Sequence, residues 1–355
     1  MSEEESLEDW EVEDAKAALE EAEREIGECA ADGRRELNLA GLGLLELPPT
    51  ISGLIQLERL NLDDNWVREN GVAPLAGLKG LRSLRLDHNE IGPAGANSLR
   101  GLTNLLLLDL SWNKLGLEGA EVLAPLKQLK FLELNGNNIG DVGANHLRQL
   151  TLLSALGLSN NDIGAPGATS VSSLARLSTL DLSFNRIGAD GAKSISRLAA
   201  LSYLDLSWNG LGDESAAALA HLANLRTLSL VENGITAKGV QRLAGMPRLK
   251  SLALTANPIG DDGVAHLAGF AGLTDLWLVR SGFSDITPLQ SLDHIETLGL
   301  SGNDIATECP ALWRKPSLKE VFLHQANLGS VPQEVLSDSP GDNCLPRLRA
   351  YFADA

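Results

Sequence analysis

The chain has 355 residues, of which 44% are apolar and only 4% aromatic, and its formal net charge is −18. This apolar content is sufficient for a large core, while the acidity argues against nucleic-acid binding, because phosphates require a basic surface. The charge is uneven: residues 1–28 contain thirteen acids and two bases, a net −11, which leaves −7 for the rest of the chain.

The acidic N-terminal segment, residues 1–30, is predicted to form a capping helix. An acidic run of this kind is typical of a solvated helix face with a disordered start. Apolar residues nevertheless recur at helical spacing on two adjacent stripes, one with Val12, Leu19 and Ile26 and one with Ala15, Ala22 and Cys29. A helix with these stripes could cover the first turn of the structure that follows.

Residues 31–329 repeat a frame of about 24 residues. The frame reads L-x-x-L-x-L-x-x-N-x-I/L-G, as in the stretch from Leu81 to Gly92. We call the position of the asparagine the marker. The markers are Leu42, Asn65, Asn89, Asn113, Asn137, Asn161, Asn185, Asn209, Asn233, Asn257, Ser281, Asn303 and Ala326. They predict thirteen repeats, and no single repeat could bury its own apolar face without neighbours.

Each repeat is predicted to contain one short strand followed by a short helix. The alternating leucines before the marker indicate a strand, and the marker amide is expected to hydrogen-bond the backbone of neighbouring turns. The second half reads G-A-x-x-L-x-x-L, as in Gly95, Ala96, Leu99 and Leu102, and this spacing favours a helix. Residues 285–289 lack the motif, so a tighter and less helical return is expected there.

The frame resembles a leucine-rich repeat. With Ile-Gly-x-x-Gly-Ala at Ile91 to Ala96 it is similar to the bacterial GALA type and, more distantly, to the ribonuclease-inhibitor class. The resemblance implies an α/β fold, a right-handed solenoid or horseshoe with parallel strands on the concave face and short helices on the convex face.

Both ends resemble the repeat domain of bacterial Roco-type multidomain proteins. The N-terminal similarity covers Glu23 to Ile26, Glu36 to Leu42 and Leu47-Pro48-Pro49. The C-terminal one covers Val331 to Leu336 and Cys344 to Phe352. Residues 330–355 are therefore expected to be a C-terminal capping segment. In those proteins the exit helix precedes an effector domain, so the resemblance implies association with an effector. No phosphate loop or F-box is recognised, so neither GTPase nor ubiquitin-ligase activity is carried over.

Cysteine usage predicts a cytoplasmic protein. Cys29, Cys309 and Cys344 are far apart and form no C-x-x-C pair. Extracellular leucine-rich repeat proteins usually close their ends with disulfide clusters, and neither end has one here. No signal peptide or membrane-length apolar run opens the chain, so no membrane association is predicted. A secreted effector delivered without a cleaved signal would have the same features.

No catalytic chemistry is predicted. The stretch from Gly188 to Ser194 imitates a phosphate loop, but the same positions begin the predicted helix in every neighbouring repeat. The six histidines are scattered over different repeats without matched ligands, so no metal or other cofactor is expected.

Large aromatic residues occur at outward strand positions, which are expected to face solvent, and they are the most unusual feature of the sequence. Either they pack on adjacent turns or they anchor a partner, and interface hot spots are rich in aromatic residues. The predicted partner-binding residues of the concave face are Trp112, Phe131, Phe184, Tyr203 and Trp208, with the acids Asp109, Glu133, Asp181, Asp205 and Glu232. A secondary candidate comprises Trp277, Arg280, Asp275 and Phe322. Small residues are expected to leave a dip between the aromatic repeats, at Gly136, Gly157, Ser159 and Asn160.

The sequence therefore predicts a non-enzymatic scaffold whose concave face binds a partner protein with a basic and apolar surface. Its predicted role is sensor or regulator of an associated effector, which it could inhibit or license. The alternatives are a secreted bacterial effector that acts on host proteins, or an enzyme with an unrecognised site. Oligomeric state is not predicted.

Overall fold

The computed structural model describes the backbone of residues 3–353 and the side chains of residues 14–353. The chain divides after Leu177 into two compact units. Within each unit, every repeat contributes one strand of three residues, because the alternating leucines place one side chain inward between two outward ones. Six such strands in the first unit and seven in the second confirm the thirteen predicted repeats in the described residues.

The first unit begins with a long helix, α1 (Glu3–Asp32). Its strands are parallel and in register, so that Leu84 pairs with Leu60 and with Leu108. They are β1 (Glu36–Asn38), β2 (Arg59–Asn61), β3 (Ser83–Arg85), β4 (Leu107–Asp109), β5 (Phe131–Glu133) and β6 (Ala155–Gly157). Two 3-10 helices, Pro49–Gly53 and Glu69–Gly77, precede α2 (Gly92–Leu99), α3 (Gly116–Val122), α4 (Gly140–Leu147) and α5 (Ala165–Val171).

The second unit repeats this alternation. Its repeat strands are β7 (Thr179–Asp181), β8 (Tyr203–Asp205), β9 (Thr227–Ser229), β10 (Ser251–Ala253), β11 (Asp275–Trp277), β12 (Thr297–Gly299) and β14 (Glu320–Phe322). A separate pair consists of β13 (Asp304–Ile305) and β15 (Asn327–Leu328). The helices are α6 (Gly188–Ile195), α7 (Gly212–Leu219), α8 (Ala237–Leu243), α9 (Gly260–Leu267), α10 (Pro310–Trp313) and α11 (Leu345–Tyr351). The expected tighter return is a 3-10 helix at Thr287–Ser291, and another covers Gln333–Val335.

The marker asparagines hydrogen-bond neighbouring turns, as predicted. The side-chain amide of Asn137 donates to the carbonyl oxygens of Leu110 at 2.8 Å and Leu134 at 3.0 Å. Its oxygen accepts from the backbone N–H groups of Asn113 at 3.0 Å and Leu115 at 3.2 Å. Because Asn137 is fully buried, replacing it would leave backbone groups unpaired in an apolar core.

The leucines of the frame form the core. Leu81, Leu84 and Leu86 are fully buried, and so is Ala96 of the helical half of that repeat. Gly95 permits the close approach of α2 to the preceding turn, since a Cβ there would lie 2.7 Å from the Ile91 side chain and 3.0 Å from the carbonyl oxygen of Glu69.

The N-terminal helix covers the start of the first unit. Helix α1 contacts β1 and the first 3-10 helix, and it buries Ala18, Ala22, Ile26 and Cys29. Leu19 and Ala15 are half-buried, while Val12 of the predicted stripe lies outside the residues whose side chains are described. Arg24 forms hydrogen bonds with Glu28 at 2.6 Å and Glu21 at 3.0 Å along the exposed side of the helix.

At the C-terminal end, α11 buries Leu345 and Leu348, and Phe352 follows them into the core. The indole N–H of the fully buried Trp313 donates to the carbonyl oxygen of Glu308 at 2.6 Å. The three cysteines are buried free thiols, and burial is the main cause that raises the pKa of each. Among the described residues, no helix has the length and apolar character needed to cross a membrane.

Candidate functional site

The residue directly before each marker has a left-handed backbone. Trp112, Phe184 and Trp208 have φ values of 54°, 54° and 58°. For a bulky L-residue this conformation costs roughly 1–2 kcal/mol, so it persists only where the surroundings impose it. The same register holds Asp64, His88, Asn160, Glu232, Ala256, Arg280 and Gln325, and the glycines Gly41, Gly136 and Gly302. Sequence reasoning missed this conformation, although glycine at three equivalent positions was the available signal.

In the first unit, Trp112 stacks on His88 of the preceding repeat. The ring centroids are 5.8 Å apart and the planes are inclined by 19°. The other end of the indole lies over the next repeat, where a Cβ on Gly136 would come within 2.5 Å of the ring. Trp112 therefore packs on both adjacent turns, yet 46% of it stays exposed. At Trp112, therefore, contacts with adjacent turns support a packing role, and the remaining exposure is compatible with a role as a partner anchor.

The acidic residues near this stack are partly neutralised. The guanidinium of Arg85 donates to Asp63 at 2.6 Å and lies 3.9 Å from the carboxylate of Asp109. Burial raises the pKa of Asp109, and repulsion from Asp87 and Asp63 raises it further. Asp63 and Asp87 occupy the position two before the marker, which is not among the predicted partner-binding positions.

The expected dip at the small residues is already occupied. The Trp112 ring fills the space beside Gly136, and the carboxylate of Glu133 lies over Gly157, where it would collide with any added Cβ. The reason is that outward side chains lean across the next repeat, which strand alternation alone does not reveal. Phe131 is 47% exposed on β5, between Leu107 and Ala155 of the adjacent strands.

In the second unit, Phe184 and Trp208 stack with centroids 5.5 Å apart and planes inclined by 12°. They remain 54% and 48% exposed. Two predicted acids occupy adjacent positions in β7 and β8, where Asp181 pairs with Asp205. Each accepts a hydrogen bond of 2.8 Å from the backbone N–H two residues later.

Burial and, to a smaller extent, electrostatic repulsion raise the pKa values of two acidic groups in this part of the second unit. Burial raises the pKa of Asp205, despite its hydrogen bonds with Ser207, and the charge of Asp181 raises it further. Burial also raises the pKa of Tyr203, which is 37% exposed, and both carboxylates add to the effect. Glu232, in the register of Trp208, is exposed as well. A positive group of a ligand would relieve this repulsion.

The secondary candidate is more tightly packed. Trp277 and Phe322 stack at 5.4 Å and 18° across Gly299, which has no side chain to separate them. Both aromatic residues are only half-exposed. Arg280 leans over Gly302, and Asp275 accepts a hydrogen bond of 2.6 Å from the Thr274 hydroxyl. The geometry brings Trp277 and Phe322 together as packing partners.

Sequence reasoning also missed Trp66, which is 62% exposed. It directly follows the marker Asn65 and therefore lies outside the outward strand positions of the repeat. It lines a pocket with His88 and Trp112. No group of three or more His, Cys, Asp or Glu residues is placed to hold a metal ion within the described part of the chain.

The repeats match known protein-family models. The family model described as a leucine-rich repeat region matches residues 35–219, and a second leucine-rich repeat model matches residues 221–244 and 246–268. The chain belongs to the leucine-rich repeat proteins. Members of this family are generally protein-interaction scaffolds, and the fold is typically non-enzymatic.

Solved structures show the same fold. An internalin from Listeria monocytogenes matches with a TM-score of 0.69 and 24% identity over 88% of each chain. A leucine-rich repeat protein of Leptospira interrogans matches at 0.67 and 22% identity, over 88% of this chain and 85% of that one. The ectodomain of the Arabidopsis thaliana receptor kinase GASSHO1/SCHENGEN3 matches at 0.57 and 23%, over 82% of this leucine-rich repeat protein and 38% of the receptor chain. Curated protein sequences give no match.

Proposed function

We propose that this leucine-rich repeat protein binds a partner protein through its strand face, the surface formed by the outward residues of the repeat strands and the residues just before each marker. The observation that carries the proposal is the Phe184–Trp208 stack. Two large rings are half-exposed there, each on a left-handed backbone that disfavours a bulky residue. Aromatic residues of this kind are frequent hot spots of protein interfaces.

The acidic residues beside the Phe184–Trp208 stack indicate which chemical groups the partner should present. Asp181 and Asp205 lie on adjacent strands beside this register. Burial raises the pKa of Asp205, and repulsion from Asp181 raises it further. A lysine or arginine of the partner would lower this repulsion, while an apolar side chain next to it would cover the stacked rings. The partner is therefore expected to present a basic group beside an apolar one.

A complex of a related fold gives independent support. The Arabidopsis receptor ectodomain was crystallised in complex with Casparian strip integrity factor 2. The shared fold favours partner binding as a function, although the identity of that ligand is specific to the receptor. In the first unit, the exposed Trp112 and Phe131 occupy outward positions of the same kind, and we include them in the proposal.

The regulatory part of the proposal rests on the ends of the chain. The segments resembling Roco-type proteins favour a cytoplasmic sensor or regulator of an effector, and the Ile-Gly-x-x-Gly-Ala repeats resemble the bacterial GALA type. In the C-terminal segment, α11 buries Leu345 and Leu348 and leaves Tyr351 37% exposed. An effector that docks near this end would couple binding on the strand face to regulation.

A selection experiment tests the binding proposal. A phage-displayed library of random peptides would be selected on the full chain, and single clones would be measured by calorimetry. Binders should carry Lys or Arg next to an apolar residue, and Phe184→Ala/Trp208→Ala should weaken them at least about 30-fold, or 2 kcal/mol, if the rings are hot spots.

The matched control is Ile55→Ala/Val142→Ala, which removes exposed apolar side chains outside the strand positions, 71% and 57% exposed. This variant should retain full affinity. Equal loss of binding in both variants, with unchanged circular dichroism and thermal unfolding, would contradict the proposal.

A further inference from the structure

The first unit contains an aromatic pocket with an acidic rim. Its volume is about 340 Å³, and it is lined by Asp64, Asn65, Trp66, His88, Asn89 and Trp112. Three of these residues present aromatic rings, and Asp64 contributes an exposed carboxylate. The pocket therefore combines exposed aromatic surface with negative charge.

The Trp66 side of the pocket is fixed through the backbone. The N–H of Trp66 donates to the carbonyl oxygen of Leu44 at 2.9 Å. The preceding marker, Asn65, is buried and donates to the carbonyl oxygens of Leu39 at 2.9 Å and Leu62 at 3.0 Å. The indole thus projects from a rigid turn while 62% of it is exposed. A fixed backbone at this position reduces part of the entropy that a ligand must offset on binding.

The opposite side is fixed by stacking. Trp112 lies between His88 and Gly136. These two neighbours restrict the rotation of its indole, so the ring stays beside the pocket. Nδ1 of His88 lies 2.9 Å from the carboxylate of Asp87, which holds the imidazole in place. Both His88 and Trp112 have a left-handed backbone, with φ values of 51° and 54°.

Asp64 of the pocket and the neighbouring Asp87 contribute negative charge, which the guanidinium of Arg85 offsets in part. Asp64 has a φ of 55°, and its backbone N–H donates to the carbonyl oxygen of Asp87 at 2.9 Å, so the two acidic residues lie on adjacent turns. A cation over the face of tryptophan gains about 0.5–2 kcal/mol, depending on how far it is desolvated. An uncharged apolar ligand would cover the rings but would gain nothing from the carboxylates.

We infer that this pocket binds the guanidinium group of an arginine side chain in a partner protein. The inference rests on the proposed function, because it takes the strand face to be a protein-binding surface. Arginine fits better than lysine, since its planar group stacks on aromatic rings while its N–H groups donate to a carboxylate. Its apolar stem would lie along the exposed part of Trp66.

The test uses a blocked Gly-Arg-Gly peptide and its citrulline counterpart, which has nearly the same shape without the charge. The full chain would be isotopically labelled at its six tryptophans, and Trp→Phe variants would assign the indole N–H signals in NMR spectra. We expect saturable shifts of the Trp66 and Trp112 signals with the arginine peptide. Binding of the citrulline peptide should be about tenfold weaker or weaker still.

Variants locate the site. Trp66→Ala, Trp112→Ala and Asp64→Asn should each weaken the arginine peptide about three- to tenfold. Val142→Ala is the control, because it removes an exposed apolar side chain of the first unit that lies outside the strand positions and outside the pocket, and it should leave the affinity unchanged. Far-UV circular dichroism and thermal unfolding would confirm that each variant is folded.

Two results would overturn the inference. Equal affinity for citrulline and arginine would show that charge is not recognised, and tighter binding of a trimethyl-lysine peptide would show that the pocket recognises a quaternary ammonium group instead. Failure here is distinguishable from failure of the proposed function. Library peptides that depend on Phe184 and Trp208 would still bind if only the arginine pocket were wrong.

Discussion

The His88–Trp112 stack of the first unit and the Phe184–Trp208 stack of the second occupy the same place in the repeat but have different surroundings. Both pairs have left-handed backbones and nearly parallel rings. In the first unit, Arg85 neutralises part of the nearby acidic charge, whereas repulsion between Asp181 and Asp205 persists in the second. One backbone position thus supports two chemically distinct surfaces, because only the side chains differ.

The two stacks also differ in the residue that follows them at the same position of the next repeat. Trp112 leans over Gly136, while the residue after Trp208 in the same register is Glu232. The first stack therefore needs a glycine beside it, and the second does not. Substitutions that exchange these features should separate backbone strain, ring packing and charge.

The largest effect is expected for Gly136→Ala. A Cβ would lie 2.5 Å from the rigid Trp112 ring, and Gly136 has a φ of +67°. Backbone strain and displacement of the ring together should lower the free energy of unfolding by about 2–3 kcal/mol. Urea unfolding would measure the loss, and tryptophan fluorescence would report the displaced ring.

Gly210→Ala serves as the control for Gly136→Ala. Gly210 has a φ of +63°, but nothing lies within 4 Å of its Cβ position, so only backbone strain applies. Its loss should be about 1 kcal/mol. Equal losses in the two variants would mean that the Trp112 contact contributes nothing.

Arg85→Ala should lower the free energy of unfolding by about 1–2 kcal/mol. Asp63 is 7% exposed, so removing its partner leaves a nearly buried carboxylate without its cation. Half of the Arg85 side chain is exposed, which keeps the effect below that of a fully buried pair. Arg82→Ala, an exposed arginine next to the same strand, should cost less than about 0.5 kcal/mol. The prediction is wrong if both variants unfold at the same urea concentration.

Asp205→Asn should have the opposite sign and raise the free energy of unfolding at pH 7, by up to about 1 kcal/mol. Burial and Asp181 hold the pKa of Asp205 above its ordinary value, so the charged form is disfavoured in the folded state. The amide oxygen can still accept the Ser207 N–H, which the carboxylate accepts at 2.8 Å.

The pH dependence of Asp205→Asn checks this sign. An acid with a raised folded pKa stabilises the protein only at low pH, and that contribution is lost as pH rises through the ordinary pKa toward the raised one. The advantage of the variant should therefore appear above about pH 4 and vanish below it. Asp109→Asn should gain less, because it gives up the nearby Arg85 guanidinium. A constant advantage from pH 3 to 7 would exclude titration as its cause.

The repeat fold could be predicted because one frame specifies which residues of each repeat enter the core and which face outward. The spacing of Leu81, Leu84 and Leu86 determines which side chains enter the core, and Asn89 identifies where the strand ends. The same frame placed Trp112 and Phe184 on the outside. Local periodicity was sufficient there, since each repeat contacts its neighbours in the same way.

Side-chain direction could not be predicted from that frame. The Glu133 carboxylate covers Gly157, and the Trp277 ring covers Gly299, so small residues in the sequence do not mark open space. Such contacts depend on rotamers and on the next repeat, which alternation does not encode. The exposed Trp66 could not be predicted from strand alternation, because it follows its marker and lies beyond the strand.

The left-handed position before the marker gives the smallest but most direct test. Ala256 has a φ of 55°, so Ala256→Gly should relieve strain of roughly 1–2 kcal/mol, offset by the 0.5–1 kcal/mol entropic cost of glycine. The expected gain in the free energy of unfolding is about 0.5 kcal/mol. Ala253→Gly, in the extended strand β10, should instead lose about 0.5–1 kcal/mol because no strain is relieved there. If both variants lose stability in urea unfolding, the backbone before the marker is not strained, and the aromatic residues at that position need no compensating role.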